Sequence, residues 1–425
     1  AVEVLNYDKV GERLYHQVLE NGLNVFVSPK PGYQKGYAFF ATNYGGMDTR
    51  FCLGDEWKQT PEGVAHYLEH KMFDTKEGNA LQELAANGAS PNAFTSSAIT
   101  GYYFESTQRF EENLKTLLSF VSIPWFTQES VDKEQGIIGQ EIGMIEDDPD
   151  WKVFNNLLGA LYRNHPIRTS VAGSVESISH ITAETLYDCH RAFYDPANMV
   201  LCVAGDVDPE RICALAREIL PGQAGPIAAK DYGPREEPRA AKELVEQVME
   251  VAQPIFQLGF KGDDPGKGEK NLRQELVGEL ALECLLGSST PLYARLYGQG
   301  LINSGFYYGY ESYPGAAFLV AGGESKDPAA VRQAVWDEAA RIGREGIDPA
   351  LWRRVKKGVY GGKVRGLNSF DSLCIGQARA FFAGYCSLDF ARLFDVVTKE
   401  EAEDMIVRWT VRERTALSVI RPKEN

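Results

Sequence analysis

A break near the middle of the chain constrains its fold more than any other feature. Leu220 to Pro238 carries Pro221, Gly222, Gly225, Pro226, Gly233, Pro234 and Pro238 and shows no hydrophobic period, so it reads as an inter-domain linker. On both sides the pattern has one style. Before the break, Leu23–Val27 and Gly36–Ala41 read as neighbouring strands, with Pro31–Gly32 between them. After it come a strand at Gln253–Phe260, an amphipathic helix at Lys270–Leu286 and strands at Phe306–Tyr313 and Ala317–Gly322. Helices follow near Pro328–Glu345 and Pro349–Arg365. At 425 residues the chain exceeds one ordinary core. The expected fold class is α+β, with two homologous-looking halves, each a mostly antiparallel sheet covered by helices. The expected domains are 1–220, a linker at 221–240, and 241–425. No identity between the halves is visible by eye, so their kinship rests on the order of elements alone.

The chemistry concentrates in the first half. Thr60–Pro61–Glu62–Gly63 is expected to open a helix, with Thr60 as N-cap and Pro61 in the first turn. That helix contains His66, Glu69 and His70. Residues four apart share a helix face, so both imidazoles reach one metal ion. Glu69, three residues after His66, falls on the same side. The pattern is the thermolysin-type motif reversed. Taken alone it is short, and two histidines that merely line a helix would read the same way. A second helix is expected at Gly78–Asn87, stopped by Gly88, then one strand over Ala93–Glu105. Further helices are expected near Glu111–Ser122, Thr127–Asp147, Asp150–Tyr162 and Thr182–Tyr194, and a buried strand at Asn198–Gly205.

Composition excludes several function classes. A net charge of −15 opposes nucleic acid as a partner, because phosphate binding needs clustered Lys and Arg. No run approaches the ~18 apolar residues of a membrane span, and Ala1–Asp8 shows no secretory signal. The seven cysteines form no Cys-x-x-Cys pair and sit mostly in apolar contexts, so reduced thiols and a cytoplasmic location are expected.

A catalytic zinc takes three protein ligands and leaves a position open. His16, His165, His180 and His190 show no second paired spacing. Glu134 and Glu141 lie seven apart on the 127–147 helix, nearly two turns, and project along one line beside Ile137, Ile138, Ile142 and Ile145. Such a pair suits one ligand and one acid behind it. It equally suits two solvated glutamates.

The His-x-x-Glu-His motif, followed about seventy residues later by Glu-x6-Glu, resembles the pitrilysin or insulinase-type zinc metallopeptidases, which include the mitochondrial processing peptidases. Gly88–Ser96 is similar to the family's Asn-Ala-x-Thr strand, and Leu286–Tyr293 to its Gly-x-Ser-Ser-x-Leu segment. The resemblance spans the chain. It implies one zinc per chain, held by His66, His70 and Glu141, with Glu69 as general base and Glu134 as a second catalytic acid that orients or tunes the site. It also implies an endopeptidase for extended, unstructured peptides, which bind by strand addition along Asn92, Ala93, Phe94 and Thr95.

One departure qualifies that picture. The family carries an Arg and a Tyr seven apart after the Ser-Ser segment, where they hold the substrate carbonyl. Tyr297 stands near the first place and Asn303 near the second, and Arg295 lies two positions early. Some bacterial members are encoded beside a sister lacking the histidine motif. A homologous partner subunit is therefore expected, in a heterodimer or homodimer. The alternative is a non-catalytic peptide-binding or scaffold subunit of the same fold.

Overall fold

The computed structural model describes residues 1–424. Two compact units divide it: residues 1–142, 169–232 and 364–391 form the first, and 143–168, 233–363 and 392–424 the second.

The first unit is built on strands β1 (Glu3–Tyr7), β2 (Glu12–Val18), β3 (Asn24–Pro29), β4 (Gly36–Thr42), β5 (Ala89–Thr95), β6 (Thr100–Ser106) and β7 (Met199–Gly205). Their order is β1-β2-β3-β7-β4-β6-β5. The second is built on β8 (Leu244–Val248), β9 (Ile255–Lys261), β10 (Tyr307–Tyr313), β11 (Ala316–Glu324) and β12 (Thr415–Arg421), in the order β8-β12-β9-β11-β10. In each sheet the first of five shared strands pairs parallel with the last in sequence, β3 with β7 and β8 with β12. All other shared pairings are antiparallel. Strand for strand the two five-stranded topologies coincide. The fold is thus α+β with two halves of the same strand topology, although their sequences show no visible repeat.

Six helices matter below: α1 (Val64–Met72), α2 (Gln128–Glu146), α3 (Pro149–Leu161), α4 (Glu269–Leu286), α5 (Pro349–Gly366) and α6 (Phe370–Ala383). The units differ from the linear domains expected, and α3 and α6 are the reason. α3 comes from the first half of the sequence, yet packs on β12 and β9 of the second sheet. Leu157, Leu158 and Leu161 join Phe318, Val320 and Ala416 in one core. A Cβ at Gly259 would sit 2.9 Å from Leu157 and Leu161, so the glycine lets the helix lie close. α6 makes the reciprocal move and packs on β7 and β4, the matching strands of the first sheet, through Phe370, Leu373, Cys374 and Ala378. An apolar helix face shows that it needs a partner but not which sheet supplies it.

The 221–240 stretch is anchored at both ends rather than free. Ala229–Lys230 pairs with the Arg50–Leu53 strand, and the Tyr232 hydroxyl donates to Asp48 at 2.8 Å. Glu236 accepts the backbone N–H groups of Arg163, Asn164 and His165, and Lys261 donates to it at 2.7 Å. The single strand expected over Ala93–Glu105 is a hairpin, β5 and β6, turned at Ser96–Ile99, where the Ser96 N–H and hydroxyl both donate to the Ile99 carbonyl. Ser caps this turn through its side chain, without the Gly or Pro that marks most turns in sequence.

Candidate metal centre

α1 is short and almost wholly buried, with Val64, Ala65, Tyr67, Leu68 and Met72 facing the interior. It begins three residues later than Thr60 as N-cap suggests. Thr60 spends its hydroxyl on the Thr49 carbonyl at 3.3 Å, and Gly63 becomes the N-cap with φ 95°. Only glycine adopts that φ cheaply, and a Cβ there would sit 2.6 Å from the Ala172 carbonyl oxygen.

α2 buries Val131, Ile138 and Ile142, whereas Ile137, expected in the same stripe, is exposed. The Tyr67 hydroxyl donates to the Val131 carbonyl. Nearly three turns further on, α2 presents Glu141 to both imidazoles: Oε1 lies 3.3 Å from His66 Nε2, and Oε2 lies 3.3 Å from His70 Nε2. One donor atom from each of His66, His70 and Glu141 falls within 4.8 Å of the others, the one such three-residue group among the described residues. Tetrahedral zinc with nitrogen and oxygen donors at ~2.0–2.2 Å places neighbouring donors about 3.3–3.6 Å apart, so these residues fit it.

Glu134 stands behind this group. Its Oε1 is 3.0 Å from His70 Nδ1, which leaves Nε2 free to face Glu141. His66 has no such support: its Nδ1 is buried without a hydrogen-bond partner. Glu69 is buried beside the imidazoles, and the Thr95 hydroxyl donates to its Oε2 at 2.8 Å. Thr95 ends β5, the outermost strand of the sheet, whose far edge is unpaired. On that strand the Asn92 side chain accepts the Ala93 N–H at 2.8 Å, and Phe94 stacks on Phe39.

Charge reinforces the grouping. The His70 pKa is raised above the usual histidine value: burial opposes protonation, but the Glu134 hydrogen bond and the carboxylates of Glu69 and Glu141 outweigh it. Glu134 is held below the ordinary carboxylate range by its bond to His70, against burial, with help from the His70 and Lys71 charges. Glu141 is lowered by its contact with His66, again against burial. The pocket therefore keeps carboxylates anionic around imidazoles, the state a cation requires.

Sequence reasoning passed over three contributors. Lys71 is buried on the last turn of α1, Asp74 pairs with it at 2.5 Å, and Thr95 steadies Glu69 in addition to lying on the edge strand. The only trace of Lys71 in the sequence is a lysine set inside an apolar helical run. In the second unit, Tyr297 is exposed and stacks on Tyr293 at 6.1 Å. The Asn303 side-chain Oδ1 accepts the Gly305 N–H, and its Nδ2 donates to Glu324. Arg295 lies 3.8 Å from Glu338, so all three are taken up in contacts of their own unit.

Comparison with known proteins converges on one family. Residues 56–175 match the insulinase sequence family, peptidase family M16, and residues 180–359 match the family described as the peptidase M16 inactive domain. The chain is 37% identical to the uncharacterized zinc protease YmfH of Bacillus subtilis, covering 99% of this chain and all of that one. A crystal structure of an M16-like peptidase from Alicyclobacillus acidocaldarius superposes with a TM-score of 0.93 at 31% identity, over 99% of this chain and 100% of that one. Pitrilysin shares the fold at a TM-score of 0.78 and 16% identity; all of this chain matches 47% of the pitrilysin chain.

Proposed function

The chain belongs to the insulinase-type peptidases of family M16, and from that premise we propose that it is a zinc-dependent endopeptidase acting on extended, unstructured peptides. One observation carries the reading: two imidazole nitrogens each 3.3 Å from one carboxylate, with a second buried carboxylate beside them at the end of an open edge strand. His66, His70 and Glu141 would hold one zinc ion. Zinc, when bound, supplies Lewis acidity that acidifies water and polarises the scissile carbonyl. Glu69 takes the proton from the attacking water and returns it to the leaving amine. Thr95 occupies Glu69 Oε2 and so leaves Oε1 for that proton. Glu134 keeps the His70 ring in one orientation. Asn92, Ala93, Phe94 and Thr95 offer backbone groups to a substrate that adds as a further strand, which selects for extended chains over folded ones.

A partner chain completes the site. The clamp places are filled by Tyr297 and Asn303, and Arg295 is engaged with Glu338, so this chain supplies the metal half while a homologous subunit supplies the Arg and Tyr. That the chain matches about half of pitrilysin supports such a pairing. Seven free thiols support a reducing, cytoplasmic setting. The test is hydrolysis of a quenched unstructured peptide by the purified chain with zinc, with and without a homologous sister lacking the histidines. Activity that depends on zinc and Glu69 and rises on adding the sister is the expected result. Zinc bound without hydrolysis under either condition would instead favour a non-catalytic scaffold.

A further inference from the structure

Lys71 is a buried cation, and the fold alone offers no reason for it. Its side chain is 2% exposed on the last turn of α1. A buried ammonium loses its hydration, and an apolar chain of the same length commonly serves stability as well or better. What it faces is more informative. Nζ lies 2.5 Å from Asp74 Oδ2 and 4.0 Å from Glu134 Oε2. The other oxygen of Glu134 takes His70 Nδ1 at 3.0 Å. Two successive residues of α1 thus engage the two oxygens of one carboxylate on α2. Seven residues along α2, on the same face, stands Glu141.

We propose that Lys71 is a positioning residue of the metal centre: with Asp74 holding the ammonium in place, its charge pins Glu134 so that Glu134 fixes the His70 ring and the register of α2 that brings Glu141 to both imidazoles. Nothing else charged stands on the Oε2 side of Glu134 among its described ion pairs, so without Lys71 the carboxylate can swing away from His70. Lys71 touches neither substrate nor metal. It acts through Glu134, and the inference rests on the metal-site reading above.

The test compares K71M and K71R with the wild-type full chain in three measurements. These are zinc affinity by competition with a chromophoric chelator, the melting temperature of the metal-free protein, and the d–d absorption of the cobalt(II) form. K71M is expected to melt within a few degrees of wild type, to bind zinc about 10–100-fold more weakly, and to show an altered cobalt spectrum. K71R should recover most of the affinity. K71Q carries the same expectation as K71M should the methionine variant fail to fold. Wild-type affinity and spectrum in K71M would overturn the proposal. So would a lowered melting temperature at unchanged affinity, or failure of both neutral variants to fold, because each makes the lysine structural. Absence of zinc binding by the wild-type chain is a different result: it removes the metal site itself.

Discussion

The two sheets run the same five strands in the same directions, yet they do different things between the second strand and the edge. In the first unit the path from β4 to β5 carries the nine-residue α1, which meets α2 with two imidazoles and two carboxylates. In the second, the path from β9 to β10 carries the eighteen-residue α4. Here α4 and α5 line a cavity of about 730 Å³ with β10. Two pairs of its polar groups face each other, Lys363 with Glu279 at 2.8 Å and the Tyr308 hydroxyl with Glu283 at 2.9 Å. The only histidine of that unit, His165, is buried with Nε2 2.9 Å from the Pro314 carbonyl oxygen. The same strand order therefore carries a cluster of His66, His70 and Glu141 in one unit and ion pairs such as Lys363–Glu279 in the other. What separates them is the chemistry placed on equivalent helices.

The sharpest way to break this comparison is to neutralise an acid in each unit. Glu69→Gln should lower peptide hydrolysis by about 10²–10⁴-fold while zinc remains bound, read as steady-state rate beside metal content. Glu141→Gln should weaken zinc binding at least about 100-fold without unfolding the chain, because its side chain is 40% exposed and supports no core. Glu279→Gln, on the other sheet, should leave zinc affinity unchanged; equal losses would deny that the halves differ as described.

The exchanged helices give the next largest effect. Leu157→Ala should cost about 2–5 kcal/mol. Amide exchange should report the loss in β9 and β12 rather than in the sheet that precedes Leu157 in sequence. Leu373→Ala should do the reverse, loosening β4 and β7.

Acid separates scaffold histidines from the metal site. Burial lowers the His190 pKa to about 4, despite its bond to the Val121 carbonyl. Its unfolded value is higher, so the unfolded chain binds more protons, and stability present above pH ~6.5 falls by on the order of 3 kcal/mol as pH drops toward 4. His165 is lowered by burial and acts in the same direction in the second unit. His70, raised in the metal-free protein, acts oppositely: its contribution is present below pH ~6.5 and is lost as pH rises through its folded value. Urea melts of the metal-free wild type and His70→Ala across pH 4–8 should show this difference in slope. The smallest effect expected is that of Thr95→Val, about a tenfold loss of rate with unchanged zinc affinity, since it removes one hydrogen bond to Glu69.

Much of this was legible in the chain. Helices such as 328–345 repeat their apolar face every three to four residues and fall where that period puts them. The histidine motif names its own geometry through helical spacing. Other features depended on contacts no local pattern encodes. The N-cap of α1 moved to Gly63, and the Thr60 hydroxyl instead found a backbone acceptor at Thr49, just before the Arg50–Leu53 strand. The hairpin at Ser96 turned on a side-chain bond that has no conspicuous turn residue.

Sequence by itself determined the α+β class, the two-part order of elements and the placing of His66 and His70 on one helix face, because period and spacing are local properties of a chain; Glu141 joined them only through the family resemblance. Tertiary structure alone decided which sheet each of α3 and α6 covers, and that the Lys71 ammonium stands behind Glu134. It also decided that Thr95 holds Glu69. These are long-range choices, in which a buried charge or an apolar face takes whichever complementary surface the folded chain brings to it.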